Sequence, residues 1–140
     1  MTDLIDRMEL IKTTLAAKYP DRIVTRDLLP FDRRKSADLV KGIYTILGDG
    51  EGDYANYNGR EGMDGRQPIK IVGQFVLAES VVKETPSAIE NAEYVMVEEI
   101  KVFLQTRPAL LAQLFMKRFW QSRQEDAPYG WVAIDLEFLQ

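Results

Sequence analysis

The chain has 140 residues, 46% apolar and 29% charged, with a formal net charge of −4, the profile of one globular domain that buries about two-thirds of its unfolded surface. It contains neither cysteine nor histidine, which excludes disulfides, thiolate nucleophiles and sulfur-ligated metals and removes the commonest metal ligand. A pI near 4.9 argues against a general nucleic-acid binder, whose electrostatic footprint is basic.

The first residues, MTDLIDRMEL, set acids among apolar positions, unlike the basic start and apolar middle of a signal peptide. No apolar run approaches the ~20 residues of a membrane span, so a cytoplasmic origin is expected. Leu4, Met8, Ile11 and Leu15 recur at helical spacing with Ile5 beside them, and Thr2 or Asp3 stands at the cap position. Tyr19–Pro20 should end this helix. Arg22 to Arg26 reads as a short strand, and Leu28 to Asp38, with Pro30 and Arg33–Arg34–Lys35, as irregular chain. Val40–Leu47 and Ile69–Ala78 are rich in β-branched and aromatic residues and form the two arms of a hairpin.

Between those arms lies Gly48 to Arg66, in which six glycines and five acids stand against Arg60 and Arg66. It supplies three of the chain's four net negative charges. Hairpin loops ordinarily run to about 2–5 residues, and longer ones are usually functional or disordered. The acids Asp49, Glu51 and Asp53 invite a calcium-loop reading. The pattern fails in detail, because Tyr54 stands where the glycine of such a loop belongs and no terminal bidentate acid follows in register. A phosphate cradle would need the Lys–Ser/Thr of a P-loop or a strand-to-helix setting, and neither is present. A solvated acidic loop is the preferred reading, with no metal and no cofactor.

Thr85–Pro86–Ser87 is a helix start, with Ser87 and Glu90 spaced as a capping box. Ile89, Ala92, Met96, Ile100 and Phe103 line one side of the helix that follows, and Glu90, Glu98 and Lys101 fall elsewhere. After Thr106–Arg107–Pro108, Ala109 to Arg123 reads as a second helix with Leu110, Leu111, Leu114 and Phe115 inward. Trp131 to Leu139 alternates, with Val132, Ile134, Leu136 and Phe138 on one side and Ala133, Asp135 and Glu137 on the other, a half-buried strand. The expected fold is therefore α+β: a mostly antiparallel four-stranded sheet with helices packed on one face and a long Gly- and acid-rich hairpin loop.

Arg33–Arg34–Lys35 and the cluster Lys117, Arg118 and Arg123 could meet phosphates, with Phe119–Trp120 as a stacking surface. The simpler account places the second cluster at a helix C-terminus, where cations favour the negative end of the dipole. Asp135 and Glu137 could do acid–base work, but on the polar side of a strand solvated or interface carboxylates are the ordinary expectation. No constellation of catalytic residues is legible, so a non-enzymatic role is expected. On the hairpin's second arm Ile69, Ile71, Phe75 and Leu77 read as core. Lys70, Val72, Gln74 and Val76 have the mixed composition of a sheet face that meets another subunit, with Arg33 and Arg34 assigned to the same interface.

The elements Leu4–Leu15, Val40–Leu47, Ile69–Ala78, Ser87–Leu104 and Trp131–Leu139, with the insert inside the hairpin, resemble the tail-terminator (minor tail protein U-like) proteins of long-tailed phages over nearly the whole chain. The likeness is one of architecture and not of motif. It implies a homo-oligomeric ring, usually a hexamer, that caps the tail tube at full length and then presents a surface to the head-completion or connector protein. It further implies a place in the virion tail, assembly in the host cytoplasm, no membrane, and nucleic acid only as DNA passing through the channel. In that setting Asp49, Glu51, Asp53, Tyr54, Tyr57 and Arg60 are our assignment for contact with the tube, the loop ordering against its partner. A small non-catalytic adaptor, with Tyr54, Tyr57 and Trp120 as recognition aromatics, is the alternative.

Overall fold

The computed structural model describes residues 3–52 and 65–138. In chain order these form α1 (Asp3–Lys18), β1 (Ile23–Thr25), a 3-10 turn (Phe31–Arg33), α2 (Ser36–Lys41), β2 (Ile43–Gly48), β3 (Gln67–Val76), α3 (Glu79–Glu84), α4 (Ala88–Gln105), a second 3-10 turn (Ala109–Leu111), β4 (Leu114–Gln121) and β5 (Tyr129–Phe138). The fold is α+β, and its strands make one mixed sheet in the order β1-β2-β3-β5-β4. All neighbours are antiparallel except β1 and β2.

The hairpin of β2 and β3 pairs Ile46 with Ile71, and β3 runs beside β5 with Ile71 opposite Ile134. Strand alternation therefore puts Tyr44, Ile46, Ile69, Ile71, Phe75, Val132, Ile134 and Leu136 on one face. Met8, Ile11 and Leu15 of α1 and Ile89, Met96, Ile100 and Phe103 of α4 close over that face and complete the core. The helical spacing of both sets is what lets each helix present one continuous apolar stripe. Close approach is built in at Gly130, where an added Cβ would lie 2.2 Å from Phe75 Cζ.

The fold departs from expectation in four places. Ala109–Arg123 is not a helix: after the 3-10 turn, residues Leu114–Gln121 pair along β5 as a fifth strand. Leu111 and Leu114 are buried as expected, whereas Leu110 and Phe115 are exposed. Strand β4 carries a bulge, since Met116 pairs with Leu136 and Arg118 with Asp135, leaving Lys117 as the extra residue. That residue moves the inward positions from Leu114 and Met116 to Phe119 and Gln121, which erases the alternation a strand would show in sequence. Second, Ser87 precedes α4 without making a side-chain cap, and Glu90 instead accepts from Gln124 Nε2 at 3.4 Å. Third, two short helices form where none is expected: α2 (Ser36–Lys41) takes the end of the stretch read as irregular and the start of the arm read as Val40–Leu47, so that β2 begins only at Ile43, and α3 forms where no element was assigned.

Fourth, the helical segments do not all lie on one face. The stretch from Asp27 through α2 crosses to the other side of the sheet, where Arg34 donates to Thr45 Oγ1 at 3.1 Å and to Gln74 Oε1 at 3.3 Å. Leu39 and Ile43 are buried there, outside the main core, and Phe31 packs on Tyr129 with ring centroids 4.9 Å apart. Thr2 and the residues from Asp53 to Asp64 lie outside the described residues, so the cap at Thr2 and the loop assignments at Asp53, Tyr54, Tyr57 and Arg60 do too. Pairing of the hairpin arms extends past β2, through Asp49 N–H to Pro68 O at 3.1 Å and a bridge between Gly52 and Arg66.

Candidate functional site

Because α1 and α4 cover one face and the segment 27–41 covers only a corner of the other, most of β3, β5 and β4 keeps a side that no other element covers among the described residues. Strand register assigns to it Lys70 and Val72 of β3, Ala133, Asp135 and Glu137 of β5, and Phe115, Arg118 and Trp120 of β4. The two acids of β5 sit between cations from the strands on either side. Asp135 receives Arg118 Nε at 3.2 Å on one oxygen and has Lys70 Nζ at 3.7 Å from the other. Glu137 receives Arg66 at 2.7 Å and has Lys117 Nζ at 3.8 Å. Cross-strand opposite charges of this kind stabilise a sheet by a few tenths of a kcal/mol up to about 1 kcal/mol per pair.

The acids are well sheltered, with side chains 19% and 10% exposed, while Arg118 remains 65% exposed. Four cations therefore surround two acids, a local positive surplus on an acidic chain. The Arg118 guanidinium lies 4.5 Å over the Trp120 ring, and that indole is 46% exposed. An open groove of about 420 Å³ runs from Lys70 past Trp120 and Trp131 to Arg123. The cluster Lys117, Arg118 and Arg123, expected at a helix C-terminus, thus belongs to a strand and to the loop after it. The sequence signal for this face was the polar side of β5, which is visible only once β4 is known to be its neighbour.

The other expected interface residues fare differently. Val72 is half-buried on the open side, and Val76 lies opposite Tyr129 near the covered corner. Gln74 is only 5% exposed; besides accepting from Arg34, it donates to Leu29 O at 3.0 Å. Arg34 also donates to Asp27 O at 2.8 Å, and burial pushes its pKa down. Gln74 and Arg34 are engaged inside the domain, so the candidate surface narrows to Lys70, Val72 and the β4 and β5 residues. Arg33 is exposed on its 3-10 turn. Of the loop residues within reach, Asp49 lines a second groove with Lys117 and Arg118, and Glu51 accepts from Gln67 Nε2 at 2.9 Å.

Two polar groups that sequence reasoning missed, Glu93 buried and Glu99 half-buried, hold the helices to the sheet. Glu93, on the core side of α4 with no exposure, accepts from Trp131 N–H at 3.1 Å, Ser122 N–H at 3.4 Å, Gln121 Nε2 at 3.3 Å and the Ser122 hydroxyl. It ties α4 to the loop joining β4 and β5. Glu99 binds Arg22 in a two-point contact at 2.8 and 2.9 Å. Arg22 also donates to Lys41 O at 2.8 Å. Burial works to lower the Arg22 pKa, but the hydrogen bonds and charge of Glu99 prevail and it is raised. The Tyr44 hydroxyl stands 2.8 Å from both Met96 O and Glu99 Oε1; burial first, then Glu99, pushes its pKa well above the ordinary tyrosine value. Gly42, at φ +89°, leaves room for this arginine, since a Cβ there would meet its NH1 at 2.4 Å.

Each of these groups has intramolecular partners that account for it. Among the described residues no cluster of acids could hold a metal ion, and no helix is long and apolar enough to cross a membrane. No protein-family model matches the sequence, and no curated protein matches it.

Proposed function

We propose that this chain is a structural assembly subunit of the phage tail-terminator type, which closes into a homo-oligomeric ring on the tail tube and offers its other surface to the head connector. The observation that carries the reading is the uncovered face of β3, β5 and β4. A sheet covered by α1 and α4 on one side, with Phe115, Trp120 and Val72 beside an ion-pair ladder on the part of the other side that α2 does not cover, has the mixed composition of a protein contact. The order of elements, with a long hairpin insert at Gly48–Arg66, supports the same reading through the resemblance. An adaptor for another protein is the second reading, favoured by the half-exposed Trp120 under its arginine.

The test is the mass of the full chain by light scattering across a wide concentration range, alone and with a phage tail-tube protein added, together with electron micrographs. A ring-sized multiple of 16.1 kDa is expected. A monomer under every condition, with no rings in the micrographs, overturns the proposal and leaves the adaptor reading.

A further inference from the structure

Ring closure requires each copy to offer two different patches, one to each neighbour. The open sheet face is one of them. The outer side of α4 is another surface with apolar side chains that the domain itself does not bury. Val95 and Val102 are exposed on a helix whose opposite side, through Met96, Val97, Ile100 and Phe103, is fully packed. Valine loses side-chain freedom in a helix, so its exposure there contributes neither propensity nor burial. Val95, Glu98 and Val102 stand at the i, i+3, i+7 spacing of a single stripe, and Glu98 is 67% exposed.

We infer, resting on the ring reading above, that the outer stripe of α4 in one copy docks on the open sheet face of the next copy. Charge favours this pairing. The exposed charged residues of α3 and α4 are Glu79, Glu84 and Glu98 against Lys83 and Lys101. The sheet face bears Arg66, Lys70, Lys117 and Arg118 against Asp135 and Glu137. The helix patch has a surplus of one negative charge, and the sheet patch, with Asp49 beside Lys117 and Arg118, a surplus of one positive, the complementarity that selects one partner and one register. The patches lie on opposite layers of the domain, so the contact is head to tail. A head-to-tail contact of this kind builds a ring when its rotation closes. Trp120, with Arg118 over it, supplies the kind of anchor that carries most of an interface's energy.

The decisive experiment reverses charge on each patch in the full chain, under conditions where the wild type assembles. Glu98→Arg and Arg118→Glu each oppose like charges across the proposed contact, and each should lower the assembled fraction about tenfold or more. Mixed in equal amounts, the two variants should assemble again, because every junction then joins opposite charges. Both side chains are largely exposed, and unchanged circular dichroism confirms folding; Trp120→Ala, also solvent-facing, serves if either fails to fold and should likewise abolish assembly. Rings in all of the variants, or no recovery on mixing the reversed pair, overturn the inference while leaving the ring itself standing. A wild type that never assembles removes the ring reading, and this pairing with it.

Discussion

Neighbouring residues of β3 have opposite fates: Ile69, Ile71 and Phe75 vanish under α1 and α4, while Lys70 and Val72 look out from the sheet's uncovered side. The two sides share one backbone and one hydrogen-bond ladder and differ only in what covers them. The covered side is held by apolar burial, worth about 25 cal/mol per Å², and fastened by Glu93 and Glu99. The open side is held by ion pairs that individually contribute little. Stability therefore resides on the first side, and the second is left to tolerate change and to carry contacts.

The largest effect expected from this division is at Ile71. Ile71→Asp leaves an unpaired carboxylate in the core, a penalty that exceeds the ~5–15 kcal/mol by which such domains are stable when added to the lost packing, or comes close to it. Circular dichroism should show an unfolded chain at room temperature. Native-like melting of that variant would mean that the covered side admits water.

Glu93→Ala comes next, because it leaves the buried N–H groups of Trp131 and Ser122 without acceptors. Each such group costs roughly 1–3 kcal/mol, so urea unfolding should shift to a clearly lower midpoint. Glu93→Gln, which keeps one acceptor oxygen, should lose less. Equal losses would show that the one acceptor oxygen kept in Glu93→Gln contributes nothing.

A smaller, pH-dependent effect comes from Tyr44. Its folded pKa lies above the unfolded value, so its contribution is complete below about pH 10 and declines above it, where the unfolded chain releases a proton that the folded chain keeps. Stability should fall with pH in the alkaline range by one more proton's slope than in Tyr44→Phe. Tyrosinate absorbance from Tyr44 should appear only as the protein unfolds, and its appearance in folded protein would contradict the geometry around Glu99.

The smallest change in stability belongs to Val72→Asp. On the open side the new carboxylate reaches water, and substitutions of that kind usually stay within about ±0.5 kcal/mol. Its melting temperature should remain near wild type while assembly is lost. If it unfolds like Ile71→Asp, the open side is core in solution; if assembly persists, the contact avoids β3.

Periodicity alone placed α1, α4, the hairpin and β5, because each spends its apolar residues on one side at a spacing of 3.6 or 2. It also separated Ile71 from Val72 and marked Asp135 and Glu137 as a polar side. The candidate surface was legible only in part. Lys70 and Val72 were found from alternation, whereas Phe115, Lys117 and Arg118 were assigned to a helix. Leu110, Leu111, Leu114 and Phe115 satisfy a helical pattern, and the bulge at Lys117 hides the alternation of a strand.

What the sequence determined by itself was therefore the α+β class, the covered side of the sheet and the acidic excess of Gly48–Arg66, since these follow from local spacing and composition. Tertiary structure alone decided three matters. β4 became a strand because the free edge of β5 offers backbone partners that outweigh local propensity. The segment 27–41 crossed to the far side because Arg34 finds Thr45 and Gln74 there. Glu93 and Glu99 became fasteners and not solvated charges because their hydrogen-bond donors come from residues 28 to 77 positions away in the chain, a distance no local pattern encodes.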